Sequence, residues 1–213
     1  MTTNDIRARG HRLPRSARRA QLLSAAQEVF VSNGYHAAAM DEIADRAGVS
    51  KPVLYQHFPG KLELYLAILD QHINELMDDV RAALSSTSDN KERVEATMEA
   101  YFRFVDRDDA PFRLVFESDL TNDDGVRDRV ERVENSCAFA IADVIQEDTG
   151  LPRPEAELLG MALAGMAQVT ARYWVQSGRS IPRDEAARLL AQISWRGISG
   201  FPKADGGKIE AGG

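Results

Sequence analysis

The sequence predicts an all-α fold, and three observations support this prediction. Apolar residues recur at steps of three and four along most of the chain, which is the spacing of one helix face. No segment alternates apolar and polar residues in the way that a half-buried strand does. Turn-forming Pro and Gly residues fall between the helical stretches. We therefore expect helices joined by turns throughout.

The composition limits the class of protein. The 213 residues are 44% hydrophobic, which is enough for a packed core in one large or two modest domains. No run approaches the roughly 20 apolar residues that span a bilayer, and the N-terminal segment lacks the apolar stretch of a secretory signal. We expect a cytoplasmic protein without a membrane partner.

Cys137 is the single cysteine of the chain. It cannot form an internal disulfide, and Val133, Ile141 and Val144 surround it at helical spacing, which favours a small core residue over a redox sensor. The four His residues and this Cys show no spacing typical of metal ligands. We expect neither a metal site nor a cofactor.

The charge is distributed unevenly. The net charge is −7, yet residues 1–20 carry six Arg and one Asp, whereas residues 66–213 carry 17 basic and 27 acidic side chains. Such a chain is attracted to a polyanion at one end only, and salt weakens that attraction. We expect residues 1–14 to form a basic, disordered arm that can reach a DNA minor groove, with a merely solvated tail as the alternative.

The first helix is expected over residues 16–32, with Leu22, Ala26 and Phe30 on one side and Asn33-Gly34 at its end. Two short helices follow between residues 38 and 61. This first helix would close a three-helix domain over them.

A turn separates these two short helices. Ile43, Ala44 and Ala47 form the apolar side of the first, Gly48 can take a positive φ, and Val49 is the apolar residue behind the turn. This layout is that of a helix-turn-helix motif.

The second short helix carries the polar groups. The Ser50 hydroxyl is expected to cap it, and Pro52 lies in its first turn, where a missing N–H costs nothing. Leu54 and Phe58 face inward, which leaves one outer surface rich in hydrogen-bond donors. Its members are Lys51, Tyr55, Gln56 and His57.

Several short motifs together resemble the N-terminal domain of the TetR family of bacterial transcriptional regulators. They are Gly34-Tyr35, Ile43-Ala44, Ala47-Gly48-Val49-Ser50, Leu54-Tyr55, His57-Phe58, Lys61 and Leu64. The resemblance covers roughly residues 15–65, and the rest of the chain matches that family in length and helical character. It implies a DNA-binding protein.

The resemblance also implies roles for individual residues. Tyr55 and His57 would hold phosphates, Lys51 and Gln56 would lie near base edges, and Lys61 would meet phosphate. The full set expected at DNA is Arg15, Arg18, Ser50, Lys51, Pro52, Tyr55, Gln56, His57 and Lys61.

One departure from the family pattern concerns the start of the first short helix. Ala38 and Ala39 stand where the family usually has Thr or Ser, so a cap worth about 1 kcal/mol and a phosphate contact are expected to be missing. Asp41 could substitute at the helix start, although it would repel phosphate.

Residues 61–201 are expected to form a helical ligand-binding and dimerisation domain, followed by a flexible tail over residues 202–213. A long helix with apolar residues from Leu62 to Leu84 starts beside the DNA motif and would link the two domains. Further helices are expected at residues 94–105, 110–120 and 126–149.

The last two helices are apolar on more than one face, which predicts cover on both sides. Together they can supply half of an intermolecular four-helix bundle, as the resemblance also implies, and small residues such as Gly160, Ala164 and Gly165 allow close approach. A monomer core is the alternative. The expected dimer residues are Leu158, Ala162, Gly165, Val169, Leu189 and Ile193. A two-fold dimer predicts a pseudo-palindromic operator on double-stranded DNA.

The resemblance implies an apolar cavity whose small-molecule effector changes the separation of the two DNA-binding domains. The expected lining consists of Met98, Phe102, Phe112, Phe116, Met166, Tyr173 and Trp174. Plain core packing is the alternative for each of them. Glu99, Glu117, Asp119 and Gln168 could set the ligand class, or they could be solvated surface groups.

We expect a ligand-responsive repressor, because a dimer that covers an operator acts by exclusion alone. A helical protein-interaction module without DNA binding is the first alternative. An enzyme is the second, but the chain has no phosphate-binding loop, no nucleophile elbow and no metalloprotease motif.

Overall fold

A computed structural model describes residues 13–108, 110–116, 120 and 123–197, and all of its regular elements are helices. Their order is α1 (Arg15–Ala37), α2 (Met40–Arg46), α3 (Lys51–His57), α4 (Lys61–Ser85), α5 (Asn90–Val105), α6 (Pro111–Phe116), α7 (Asp124–Thr149), α8 (Arg153–Gln176) and α9 (Arg183–Arg196). The predicted all-α fold is confirmed. Most of the basic arm, Glu117, Asp119 and the tail over residues 202–213 lie outside the described residues.

Helices α1, α2 and α3 form a small unit that we call the head. Its core consists of side chains that are fully or almost fully buried: Leu22, Ala26, Val29, Ile43, Ala44 and Leu54. Helix α1 is interrupted at Gly34, whose φ of 75° an L side chain rarely adopts. The chain turns there and presents Tyr35 to the core.

Helix α4 joins the head to helices α5 to α9. We call α4 to α9 together the body. At its N-terminal end the Tyr65 ring packs edge-on against Phe30 and Tyr35 of α1, with centroids 5.1 and 5.2 Å apart. Further along, α4 packs against α5, α6 and α7. Its axis therefore passes from the head into the centre of the body.

Within the body, α7 and α8 form an antiparallel pair, and α9 packs on α5. The α7–α8 pair is held close by small residues, since Ala138, Ala142 and Ala156 are all completely buried. A Cβ on Gly160 would lie 2.2 Å from the Ala138 carbonyl oxygen. Gly160 thus serves packing inside the subunit, whereas the sequence suggested that it permits close approach between subunits. None of the described helices is both long and apolar enough to cross a membrane.

Candidate nucleic-acid interface and cavity

The turn between α2 and α3 is fixed by backbone hydrogen bonds. Gly48 has a φ of 64°, and the Val49 N–H donates to the Ala44 carbonyl at 3.0 Å. The Gln21 side chain of α1 donates to the Ala47 carbonyl at 2.8 Å. Gln21, a residue that the sequence analysis did not single out, therefore ties the turn to α1 and sets the angle at which α3 leaves it.

Helix α3 turns one face inward and one face outward. Leu54 is completely buried and Phe58, just after the helix, is 2% exposed. The outer face is exposed and polar, with Tyr55 48% exposed and His57 at its edge half-buried. The exposed members are Lys51, Pro52, Tyr55 and Gln56. No part of the described subunit covers this face.

Ser50 occupies the N-cap position of α3, but its side chain makes no capping hydrogen bond. An N-cap hydroxyl bonds the N–H of the second or third helical residue. The second is Pro52, which has no N–H, and the N–H of the third, Val53, donates to the Ser50 carbonyl at 2.9 Å. The expected hydroxyl cap is therefore absent, and Ser50 is exposed.

Lys51 forms an ion pair with Asp41 of α2, with Nζ and Oδ2 2.6 Å apart. The hydrogen bond to this carboxylate raises the pKa of Lys51. Both side chains are more than half exposed, so the pair can open to DNA at small cost. Asp41 lies in the first turn of α2, whose N-cap residue, Ala39, supplies no side-chain hydrogen bond.

Lys61 points away from the outer surface of α3. Its ammonium group donates to the carbonyls of Tyr35, His36 and Ala38 at 2.9, 3.2 and 2.9 Å, and it lies 4.6 Å above the Tyr35 ring centre. In the described structure this ammonium group therefore closes the end of α1, and the phosphate contact of Lys61 stays a prediction. Three backbone acceptors without helical partners explain this preference.

The arginines at the start of α1 differ in their surroundings. Arg15 is exposed, and Arg18 donates to Gln21 at 2.7 Å. Arg19 lies over the Phe58 ring at 4.4 Å, a cation–π contact that sequence spacing did not reveal. Neither Arg15 nor Arg18 is therefore buried in the core of the head.

Two adjoining cavities lie in the body. The inner cavity, of about 50 Å³, is lined by residues of α4, α5, α6, α7 and α8, including Phe116 of α6. The outer cavity, of about 220 Å³, reaches the surface near Asn90, Arg93 and Asp148. They share four lining residues: Thr97, Met98, Ile141 and Leu163. The two together form an elongated, mainly apolar space.

The structure brings only some of the expected lining residues to this space. Met98 and Phe116 line it. Phe102 and Trp174 pack on each other with ring centres 5.6 Å apart, and Phe112 packs against Phe116 at 5.2 Å. Neither cavity is lined by Phe102, Phe112, Met166 or Trp174.

Tyr173 is placed outside the cavity altogether. Its side chain is 72% exposed, and it lines an apolar groove between α8 and α9 together with Trp174, Leu189 and Ile193. Aromatic type and helical spacing do not distinguish the two sides of a helix that is apolar on both, which explains why the sequence grouped Tyr173 with the cavity.

Polar groups that the sequence analysis missed or left open lie in the inner cavity. The hydroxyls of Thr97 and Tyr101 are buried without a hydrogen-bond partner. Glu134 accepts from Gln168 at 2.6 Å beside them. Burial raises the pKa of the Tyr101 phenol far above its usual value, so it remains a donor. Burial also raises the pKa of the Cys137 thiol to about 12, which leaves little thiolate for redox chemistry.

An exposed apolar stripe runs along α8 on the side away from α7. We call it the α8 stripe, and Leu158, Val169 and Tyr173 are 72%, 66% and 72% exposed in it. Its members are Leu158, Met161, Ala162, Gly165, Val169 and Tyr173. Gly165 has no neighbour within 4 Å of a Cβ position, in contrast to Gly160. Leu189 and Ile193 extend the stripe through the α8–α9 groove.

A hydrogen bond connects the cavity wall to the head. The Tyr65 hydroxyl donates to the Leu114 carbonyl of α6 at 3.0 Å, and Phe116 of the same short helix lines the inner cavity. Since the Tyr65 ring packs on Phe30 and Tyr35, this one side chain contacts both α6 and α1.

Comparison with known proteins gives consistent results. Residues 22–68 match the model of the family described as bacterial regulatory proteins, tetR family. The HTH-type transcriptional activator FasR of Mycolicibacterium smegmatis is 48% identical over 194 residues, which cover 91% of this chain and 89% of the relative.

Two solved structures are similar over most of their length. A tetR-family transcriptional regulator from Streptomyces coelicolor has a TM-score of 0.71 and 28% identity, covering 85% of this chain and 80% of that one. A TetR-like transcriptional regulator from Rhodococcus sp. RHA1 also has a TM-score of 0.71 and 28% identity, covering 89% and 100%.

Proposed function

The chain belongs to the TetR family of bacterial regulatory proteins, and we propose that this DNA-binding regulator acts as a homodimer whose affinity for its operator is set by an apolar effector. The observation that carries the proposal is the exposed, donor-rich outer face of α3. The cavities and the α8 stripe lie in the body, where they suit an effector and a second subunit.

In the proposed complex, α3 lies in a major groove. Tyr55 and His57 hold phosphates, whereas Lys51 and Gln56 reach base edges once the Lys51–Asp41 pair has opened. Phosphate contacts fix position, and base contacts determine sequence preference. Tyr55→Ala should therefore weaken binding to all duplexes alike, while Gln56→Ala should change the preferred sequence in a selection from random duplexes. An unchanged affinity and salt dependence for Tyr55→Ala would rule out this placement of α3.

The α8 stripe supports the proposed homodimer. A contiguous apolar surface of this kind is rarely left open to water. Its small residues, Ala162 and Gly165, would allow the α8 helices of two subunits to approach closely. Val169→Arg should give monomers in sedimentation velocity and should lose operator binding, because each head alone reads one half-site. Ala82→Arg, at an exposed position of α4, is the control for the added charge. A dimeric Val169→Arg protein would contradict this interface.

The cavities support an effector that is elongated and largely apolar. Asn90 and Tyr101 mark the two ends on α5, and eleven residues of helix separate them by about 16 Å. An effector that favours one position of α6 shifts the head through the Leu114–Tyr65 hydrogen bond, by its differential affinity for the two states. Release from the operator is the direction that we propose.

Tyr65→Phe tests this coupling, because Phe keeps the ring packing on Phe30 and Tyr35 and removes the hydroxyl that donates to α6. We expect dodecanol, used as an apolar probe, to bind the variant as well as the wild type but to change its operator affinity less. Tyr35→Phe is the matched control, since its hydroxyl makes no contact with α6 in the described structure. Equal responses of Tyr65→Phe and wild type would remove this bond from the mechanism.

The direction of regulation has two candidates. The sequence alone favoured repression, since a regulator that only occupies a promoter needs no further surface to contact the polymerase. The 48% identical relative is named a transcriptional activator, which favours activation for this chain. A reporter driven by the promoter that contains the selected operator distinguishes the two, because deletion of the regulator raises its output in one case and lowers it in the other.

A further inference from the structure

We infer that the inner cavity recognises an uncharged oxygen atom of an otherwise apolar ligand, through the hydroxyl groups of Thr97 and Tyr101. This inference rests on the proposed effector site and adds the chemical class of the group that it binds. It concerns a ketone, ester or alcohol oxygen carried on a hydrocarbon chain.

The first observation is that both hydroxyls lack partners. Thr97 and Tyr101 are only 6% and 7% exposed, and neither hydroxyl makes a hydrogen bond in the described structure. A buried hydroxyl without a partner is destabilising, and most buried polar groups in proteins are paired with protein atoms or water. Two such hydroxyls at one cavity therefore indicate a bound group that supplies their missing hydrogen-bond partner.

The second observation is their arrangement. Thr97 and Tyr101 are four residues apart on α5, so they share one face of that helix. Thr97 lines both cavities, whereas Tyr101 lines the inner one only. A chain that enters from the outer cavity meets the two hydroxyls in succession at its inner end, and the rest of its length faces mainly apolar residues such as Ile141 and Leu163.

The charges near the site favour a neutral group. Burial is the main cause of the raised pKa of Tyr101; the Glu134 carboxylate, which lines the inner cavity, acts in the same sense, and Arg172 acts in the opposite sense. Gln168 occupies one oxygen of Glu134. An anionic head would be repelled by this carboxylate in a low-dielectric space. The Tyr101 phenol, kept protonated by burial, is suited to donate to a neutral oxygen.

The test uses the full-length protein and three probes with similar chains: dodecanol, methyl decyl ketone and dodecene. Titration is followed by Trp fluorescence, because Trp195 lines the outer cavity. Tyr101→Phe keeps the ring and removes the hydroxyl. We expect its affinity for the ketone or the alcohol to fall by about tenfold, the loss of one buried hydrogen bond, while dodecene binds as it does to wild type.

Thr97→Val should produce the same pattern, and Ser88→Ala, which removes an exposed hydroxyl from the turn between α4 and α5, should leave the affinity for all three probes unchanged. A loss confined to the ketone identifies an acceptor oxygen as the recognised group, and a loss confined to the alcohol identifies a hydroxyl. Equal losses for dodecene and the oxygenated probes, or no loss for either oxygenated probe, would overturn the inference.

The protein without ligand provides an independent readout. Removal of an unpartnered buried hydroxyl should leave the melting temperature of Tyr101→Phe unchanged or raise it by about 2 °C. A fall of several degrees would show that the hydroxyl has a partner within the protein, which contradicts the inference. Operator binding is measured separately. If the oxygenated probes bind through these hydroxyls without changing operator affinity, the subsite stands and the proposed effector control fails.

Discussion

The head and the body of this molecule are built on contacts of different range. In the head, side chains from neighbouring segments close a small core, and polar side chains such as Gln21 and Lys61 satisfy the carbonyls at turns and helix ends. In the body, five helices, α4 to α8, line a cavity with residues that lie far apart in the sequence. Two hydroxyls at this cavity have no hydrogen-bond partner in the described structure. The head is thus built to hold one shape, whereas the body retains space that a second molecule can fill.

This difference determined what the sequence could predict. The positive φ of Gly48 and the inward direction of Leu54 are decided by residues a few positions away, and both were predicted from spacing. The contact of Lys61 with backbone carbonyls was not predicted, because these acceptors lie more than twenty residues earlier, at the irregular end of α1. Thr97 was missed because the cavity that it lines exists only when α5, α7 and α8 have assembled.

The glycines of α8 illustrate the same limit. Gly160 and Gly165 are five residues apart in a helix of small and apolar residues, and their sequence surroundings are alike. Only the position of α7 shows that Gly160 faces a neighbouring backbone while Gly165 faces the open surface. Patterns within one helix identify apolar faces, but the partner of each face is set by the tertiary structure.

The largest expected effect compares the same truncation in the two regions. Leu54→Ala removes a completely buried side chain from the head core, and it should lower the free energy of unfolding by about 3 kcal/mol. Leu163→Ala in the body should cost about 1 kcal/mol, because this half-buried side chain already borders empty space. Urea unfolding followed by circular dichroism at one protein concentration measures both. Equal losses would show that the body is packed as tightly as the head in solution.

Lys61→Met should have the next largest effect. It leaves three carbonyls at the end of α1 without their shared ammonium donor, which should destabilise the head by about 2 kcal/mol. The salt dependence of operator binding separates this role from a phosphate contact. A Lys that meets phosphate contributes about one to the slope of log affinity against log salt. We expect an unchanged slope for Lys61→Met, with Arg15→Met as the comparison, and a reduced slope would restore Lys61 to the DNA interface.

The two glycines of α8 sharpen the comparison within the body. Ala at position 160 would place a Cβ 2.2 Å from the Ala138 carbonyl oxygen, so α7 and α8 must separate. This overpacking should outweigh the better helix propensity of Ala and leave a net loss of about 1 kcal/mol. Gly165→Ala meets no atom of its own subunit and should stabilise α8. Chemical denaturation measures the stability of the subunit, and sedimentation reports any effect of Gly165→Ala on the dimer.

The smallest expected effect concerns an ion cluster between α4 and the end of α5, and it depends on pH. Burial raises the pKa of the Glu75 carboxyl, but hydrogen bonds from Gln71, Arg107 and His72, at 2.9, 2.7 and 3.1 Å, outweigh this and hold its pKa below the usual value. A carboxyl with a lowered pKa in the folded state stabilises the fold above its unfolded pKa of about 4.3, and this contribution disappears as the pH falls through the folded pKa. Glu75→Gln should therefore be less stable than wild type at pH 7, and the two should converge below about pH 4. A constant difference across this range would show that Glu75 stabilises the fold through packing and that its charge contributes nothing.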